Sequence, residues 1–263
     1  MNYKGACRVP LFDVEDIPVP RVLLGHNPFI GYSYLSEARA LEYRERFKDM
    51  EAIRNLVTKS IEAGVPAAFI SCDPHGSPLP SGNLIKAIEE ASRETDVEAL
   101  VISNMTDPSK DLARLANLNL KIAVIHGSII DNMQVKNSFE GLEEMLNTIR
   151  DAGVVPGVVM HRCDNVQPLV EGKLDIGLYV SPFNMLGYEM TPSRESFVDL
   201  LERLPKPYLC IKPLAMGRLP PKEGLGWVFS HKKVQGCALG ISSEHEMKED
   251  YDILKGIFGE RAG

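Results

Sequence analysis

Residues 121–126 read Lys-Ile-Ala-Val-Ile-His, and residues 154–161 read Val-Val-Pro-Gly-Val-Val-Met-His. Each is a short apolar run that ends on a histidine. Between them, Phe139–Ala152 carries apolar residues at 139, 142, 145, 146 and 149, the spacing of one helix face. Ser138 is placed as its N-cap, with Glu140 and Glu143 behind it, and Gly153 as its stop. Strands that are apolar throughout belong to sheets covered on both faces, and a helix between two such strands makes a parallel βαβ unit.

The same alternation extends outward in both directions. Strands are predicted at Arg21–His26, Ala67–Asp73, Ala99–Asn104, Lys121–His126, Val154–His161, Ile176–Pro182, Tyr208–Lys212 and Gly236–Ser242. Helices are predicted at Asp49–Ala63, Gly82–Arg93, Ser109–Ala116, Phe139–Ala152, Val166–Glu171, Arg194–Leu204, Lys222–Ser230 and Glu244–Phe258. Ser193 caps the sixth of these, and Gly64 stops the first. The near-even repeat of about 30 residues predicts a closed (β/α)8 TIM barrel spanning 1–263 as one domain. An open doubly wound sheet is the alternative. Val9–Pro20 alternates apolar and polar around Glu15-Asp16, so residues 1–20 form either a hairpin closing the bottom of the barrel or an extended Pro-rich arm. Glu37–Lys48 is densely charged and reads as a solvated helix face.

Composition narrows the function. The chain has 263 residues, 44% hydrophobic and 25% charged, with a net charge of -7. That balance argues against a nucleic-acid partner, because phosphate neutralisation needs clustered Lys and Arg. No apolar run reaches the roughly 20 residues of a membrane helix, and the N-terminus lacks a signal-peptide pattern. Five cysteines without a CxxC pair fit a reducing cytoplasm better than a disulfide framework. The expected partner is a small-molecule substrate, with the oligomeric state left open.

In a (β/α)8 barrel the chemistry sits at the C-terminal ends of the strands. Four of the six histidines fall there: His26, His75, His126 and His161. Neutral imidazole is the commonest metal ligand, and three N/O ligands plus a water make a catalytic zinc site. His75, His126 and His161 are therefore candidate ligands of a Zn-like divalent ion, with Asp73 as base or fourth ligand. Lys212 ends the apolar run Tyr208-Leu209-Cys210-Ile211. A desolvated lysine there serves as base, as Schiff-base nucleophile, or as a fixed cation for an anionic substrate. The loops after the seventh and eighth strands, with Gly217, Arg218, Ser242 and Ser243, form a candidate phosphate seat of backbone N–H groups. Asn27–Tyr34 after the first strand reads as a substrate-facing loop or lid, or as an ordinary ordered loop.

In chain order, these features resemble the aldo-keto reductases. Leu24-Gly25 looks like their first strand end. Asp73 follows the second strand and His126 ends the fourth, where that family places a catalytic Asp and His. The segment Tyr179–Leu186, with Asn184, is similar to their sixth-strand segment. Residues 212–219 look like their Pro-Leu-x-x-Gly-x-Leu motif, and Gly236–Leu254 resembles their last strand and NADP-contacting helix. The resemblance implies NADP as cofactor, with Asn184 among the residues that contact it. Two departures stand out: Pro74–Pro80 contains no tyrosine proton donor, and Asn104 stands where the family has a lysine. The leading expectation is therefore a metal-assisted hydrolase or lyase acting on a small polar or phosphorylated substrate, with Asp73, His126 and Lys212 catalytic. The second is a divergent NADP-dependent oxidoreductase that draws its donor from Tyr32 or Tyr34. The third is a non-catalytic ligand-binding barrel.

Overall fold

Glu15 adopts a left-handed backbone, φ 52°. It folds Leu11–Val14 (β1) back onto Ile17–Pro20 (β2) as an antiparallel hairpin. The alternation foreseen in this stretch is realised, with Phe12 and Val14 buried and Leu11 and Asp13 exposed. Phe12 packs against Gly236, where a side-chain Cβ would lie 2.9 Å from its ring. The hairpin therefore closes the bottom of the molecule, and the extended-arm alternative falls away. A helical turn, Tyr3–Ala6 (α1), precedes it.

The computed structural model describes residues 2–72 and 77–259. Its core is a closed barrel of parallel strands: Val22–Gly25 (β3), Ala67–Ser71 (β4), Leu100–Met105 (β5), Asn119–Ile125 (β6), Val155–Val159 (β7), Leu178–Pro182 (β8), Tyr208–Ile211 (β9) and Val234–Gly240 (β10). Closure is carried by β10 against β3, with Cys237, Ala238, Leu239 and Gly240 opposite Val22, Leu23, Leu24 and Gly25. That pairing removes the open-sheet alternative. The strands are buried nearly end to end, as their continuous apolar runs require.

The outer layer comprises Glu37–Phe47 (α2), Met50–Glu62 (α3), Ser81–Thr95 (α4), Pro108–Arg114 (α5), Gly127–Lys136 (α6), Leu142–Asp151 (α7), Gln167–Val170 (α8), Arg194–Arg203 (α9), Pro221–Ser230 (α10) and Glu244–Gly259 (α11). Each long helix presents an apolar stripe to the strands; in α7 it is Leu142, Leu146 and Ile149. Burying such a side chain contributes about 1.5–3 kcal/mol. Ser193 caps α9 by accepting from the Ser196 N–H at 3.2 Å, as expected. Ser138 does not cap α7: that helix starts one turn later, with Gly141 at its N-cap (φ 80°). The reason is α6, a helix the sequence reading did not foresee, which occupies the chain up to Lys136 and leaves Asn137 as its left-handed end. No helix among the described residues is long and apolar enough to cross a membrane.

Candidate functional site at the barrel mouth

The strand ends place their polar residues around one mouth. His26 follows β3. Burial, with smaller contributions from His126 and Lys212, pushes its pKa down to about 4, so the ring is neutral at pH 7. His126 is the N-cap of α6: its Nδ1 accepts the Ser128 N–H at 3.1 Å and lies 2.8 Å from Ser128 Oγ. With Nδ1 accepting the backbone N–H, the ring proton is assigned to Nε2.

His161, just past β7, is gripped by Asp131 from the second turn of α6. Its backbone N–H donates to Asp131 Oδ1 and its Nδ1 lies 2.8 Å from Oδ2. The ring lies against the helix start, where a Cβ on Gly127 would come within 2.4 Å of His161 Cε1. Glycine at 127 is thus what admits the histidine. Both histidines lie at the start of α6, His126 as its N-cap and His161 beside Gly127.

Lys212 enters from the end of β9 with a left-handed backbone, φ 55°. Its side chain is 10% exposed and its Nζ is 3.3 Å from Glu189 Oε2. The Tyr34 ring covers it, 5.2 Å from Nζ to the centroid. Burial lowers the Lys212 pKa despite the opposing pull of Glu189 and Asp131. Tyr34 is held firmly protonated: burial first, then Tyr32, Glu189 and Tyr188, all raise its pKa. Of the two tyrosines proposed as donors, Tyr34 lies over the lysine and Tyr32 packs edge-on against it, 4.6 Å between centroids.

Asn104 ends β5. The preceding residue, Ser103, faces outward to Cys72, so side-chain alternation turns Asn104 toward the barrel axis. It is 8% exposed, and its Oδ1 has no hydrogen-bond partner among the described residues. An orphaned buried acceptor is costly in a finished fold and fits a donor arriving with a ligand.

The expected phosphate seat is organised differently from its sequence reading. The Gly217 N–H donates to the Leu214 carbonyl at 3.0 Å. Arg218 donates to the carbonyls of Ala215 and Tyr34 and stacks on Tyr188, so it braces the loop after β3 against the loop after β9. Ser242 gives both its N–H (2.8 Å) and its hydroxyl (2.7 Å) to Glu246 Oε2, and the other carboxylate oxygen pairs with Arg39. Ser243 Oγ accepts the Glu246 N–H at 3.2 Å. The donors are present, but the chain's own carboxylate engages those of Ser242. Asn184 is fully buried and spends its amide on both backbone groups of Tyr188, which shapes the loop that carries Glu189.

Asp73 and His75 lie outside the described residues. Among those described, no three of His, Cys, Asp and Glu gather as a metal would need. His126 and His161 are each oriented through Nδ1 by an α6 partner. Sequence reasoning missed Asp131, Glu189 and Glu246. Asp131 was within reach: read as a helix, residues 127–136 carry it one turn past His126. Glu189 carried no periodic signal.

No family model and no curated protein sequence matches the chain. Among solved structures it is similar to a Pseudomonas aeruginosa chain provisionally described as an aldo-keto reductase: 14% identity, 95% and 97% of the two chains covered, TM-score 0.67. An aldo-keto reductase from Bacillus halodurans in its apo form matches at 15% identity over 94% and 91%, TM-score 0.64. A thermostable aldo-keto reductase in complex with the inhibitor epalrestat matches at 14% over 93% and 94%, TM-score 0.62. At these identities the likeness establishes the fold alone: a (β/α)8 barrel similar to these structures over nearly the whole chain.

Proposed function

We propose that the chain is an oxidoreductase of the aldo-keto reductase kind, reducing a small carbonyl substrate at the barrel mouth. This reading takes precedence over the metal-dependent one, for which the described residues assemble no ligand set. The observation that carries it is the Tyr34 ring lying over Lys212. The tyrosine and lysine missing from their usual strand ends are here supplied by the loop after β3 and the end of β9.

NADP would provide the hydride. At the mouth the residues fit such a group, since the Asn104 Oδ1 acceptor is buried and without a partner among the described residues. At the far end, Ser242 and Ser243 would hold a phosphate once Glu246 swings off Ser242 onto its second partner, Arg39.

The chain's own residues account for the rest. A carbonyl reduced in the mouth becomes an alkoxide and needs a proton. Tyr34 holds one, kept on its hydroxyl by burial and by Glu189. Lys212 places positive charge beneath the ring and stabilises the phenolate left behind. His126, with its proton on Nε2, is a neutral donor suited to orienting the carbonyl oxygen. His26, neutral with a pKa near 4, adds no charge to this set.

The test is oxidation of reduced nicotinamide cofactor against a panel of small aldehydes, comparing wild type with Tyr34→Phe. General acid catalysis contributes about 10²–10⁴-fold, so Tyr34→Phe is expected to lose at least about 100-fold in kcat with KM little changed. Equal turnover by the two proteins would overturn Tyr34 as donor.

A further inference from the structure

Three features around Lys212 exceed what charge stabilisation in a reductase needs. First, its backbone has φ 55°, and that of its partner Glu189 has φ 59°. Of the six other left-handed residues that are not glycine, Asp96 and Asn137 end helices and Glu15 turns the hairpin. Glu189 is the third residue of a turn closed by the Met190 N–H on the Gly187 carbonyl, whereas Lys212 ends neither a helix nor a hairpin. Strained backbone held at a cleft is a mark of functional positioning. Second, the other ion-paired lysines, Lys48, Lys59, Lys86, Lys110, Lys173 and Lys255, keep 44% or more of their side chains exposed. Lys212 keeps 10%. Third, across the barrel from β9, the end of β5 offers Asn104 Oδ1, unpartnered among the described residues, a seat for a hydroxyl of whatever occupies the mouth.

We propose that Lys212 forms a covalent imine with a small hydroxylated ketone or aldehyde, an activity additional to hydride transfer. It rests on the reading above only for the carbonyl class of substrate, and needs no nicotinamide cofactor. Glu189, 3.3 Å from Nζ, takes one proton from the ammonium. The freed amine pair attacks the carbonyl carbon, and the C=O π pair moves to oxygen. A proton shifts from nitrogen to that oxygen, giving the carbinolamine. Glu189 returns its proton to the hydroxyl, which leaves as water while the nitrogen pair closes C=N. Carbonyl and ammonium become iminium and water, with no change of oxidation state. Burial favours the unprotonated amine that this step begins from. The iminium makes the neighbouring C–H acidic, so the reactions opened are enolisation and carbon–carbon cleavage or addition at a hydroxyketone.

The test uses the full chain with dihydroxyacetone and cyanoborohydride, without dinucleotide, followed by intact-mass measurement and peptide mapping. One saturable adduct is expected on Lys212, formed at least tenfold faster than on any other lysine. Lys212→Arg should lose that adduct and keep the background labelling. Glu189→Gln should slow trapping at least tenfold while its circular dichroism matches wild type. Adducts scattered over the exposed lysines, or wild-type trapping in Lys212→Arg, would overturn the proposal. NADPH binding is measured on the same preparation. Binding without trapping sinks the imine and leaves the oxidoreductase; trapping without binding does the reverse.

Discussion

Glu246 shows how one residue resets a site whose surroundings look familiar. The Gly240-Ile241-Ser242-Ser243 loop and the start of α11 offer the donors a phosphate wants, and these were legible in the sequence as a Gly followed by two Ser before a helix. That a carboxylate one turn on would fold back onto Ser242 was not legible, because Glu246 has an equally natural place in solvent. The fold-back is driven by two donors on Ser242 and by the Arg39 guanidinium. A bound phosphate has to displace it. Glu246→Gln keeps the shape and removes the charge, so it is expected to tighten NADPH binding by about tenfold, on the order of 1.4 kcal/mol. Fluorescence titration of the two proteins measures this, and weaker binding by the variant would show that the carboxylate assists the cofactor. Asn184, expected as a cofactor contact, also holds the Tyr188 backbone through its side-chain amide and so shapes the loop that delivers Glu189.

At the level of elements, strong periodicity was read correctly and weak periodicity was not. The stripe in α7 and the hairpin alternation both survived, whereas α6 was overlooked because Val135 falls off the face shared by Ile129, Ile130 and Met133 and its first residue is Gly127. Missing α6 misplaced the Ser138 cap and hid Asp131. The hairpin is pinned by Arg150 of α7, which makes bidentate contacts with Glu15 at 2.9 and 2.7 Å and with Asp175 at 2.7 and 2.8 Å. These groups are about a third exposed, so their worth is modest. Arg150→Ala is expected to cost about 1 kcal/mol and to speed amide exchange in β1 and β2 while the barrel strands stay protected.

Asp250 of α11 gives a pH signature. It is 5% exposed, and burial, then Glu246 and Glu249, raise its carboxyl to about 7. The folded state therefore binds its proton more tightly than the unfolded state does. Its contribution to stability is full below the unfolded pKa near 3.8 and is lost as pH rises through about 7. Asp250→Asn should match wild type near pH 4 and exceed it by about 2 kcal/mol at pH 8, read as a rise in Tm. A variant that loses stability equally at both pH values would contradict this.

For the whole molecule, eight apolar runs separated by helical stretches specified closure, because strands buried on both faces need helices outside and one another inside. The mouth was legible in outline: the histidines at 26, 126 and 161 and the lysine at 212 were all found from strand ends. Their partners were not, since Glu189 and Tyr34 reach Lys212 through loops whose paths no periodicity encodes. The metal expectation rested on histidines counted along the chain. Among the described residues no three such ligands gather, and His75 and Asp73 lie outside them. What remains is a mouth in which a protonated tyrosine covers a buried lysine, within the fold of the aldo-keto reductases. The most direct measurement is isotope transfer from NADPH carrying deuterium at its hydride position to a small aldehyde. One deuterium on the carbinol carbon of the product, lost with Tyr34→Phe, is the expected result. An unlabelled product, or none across the aldehyde panel, would contradict the oxidoreductase assignment.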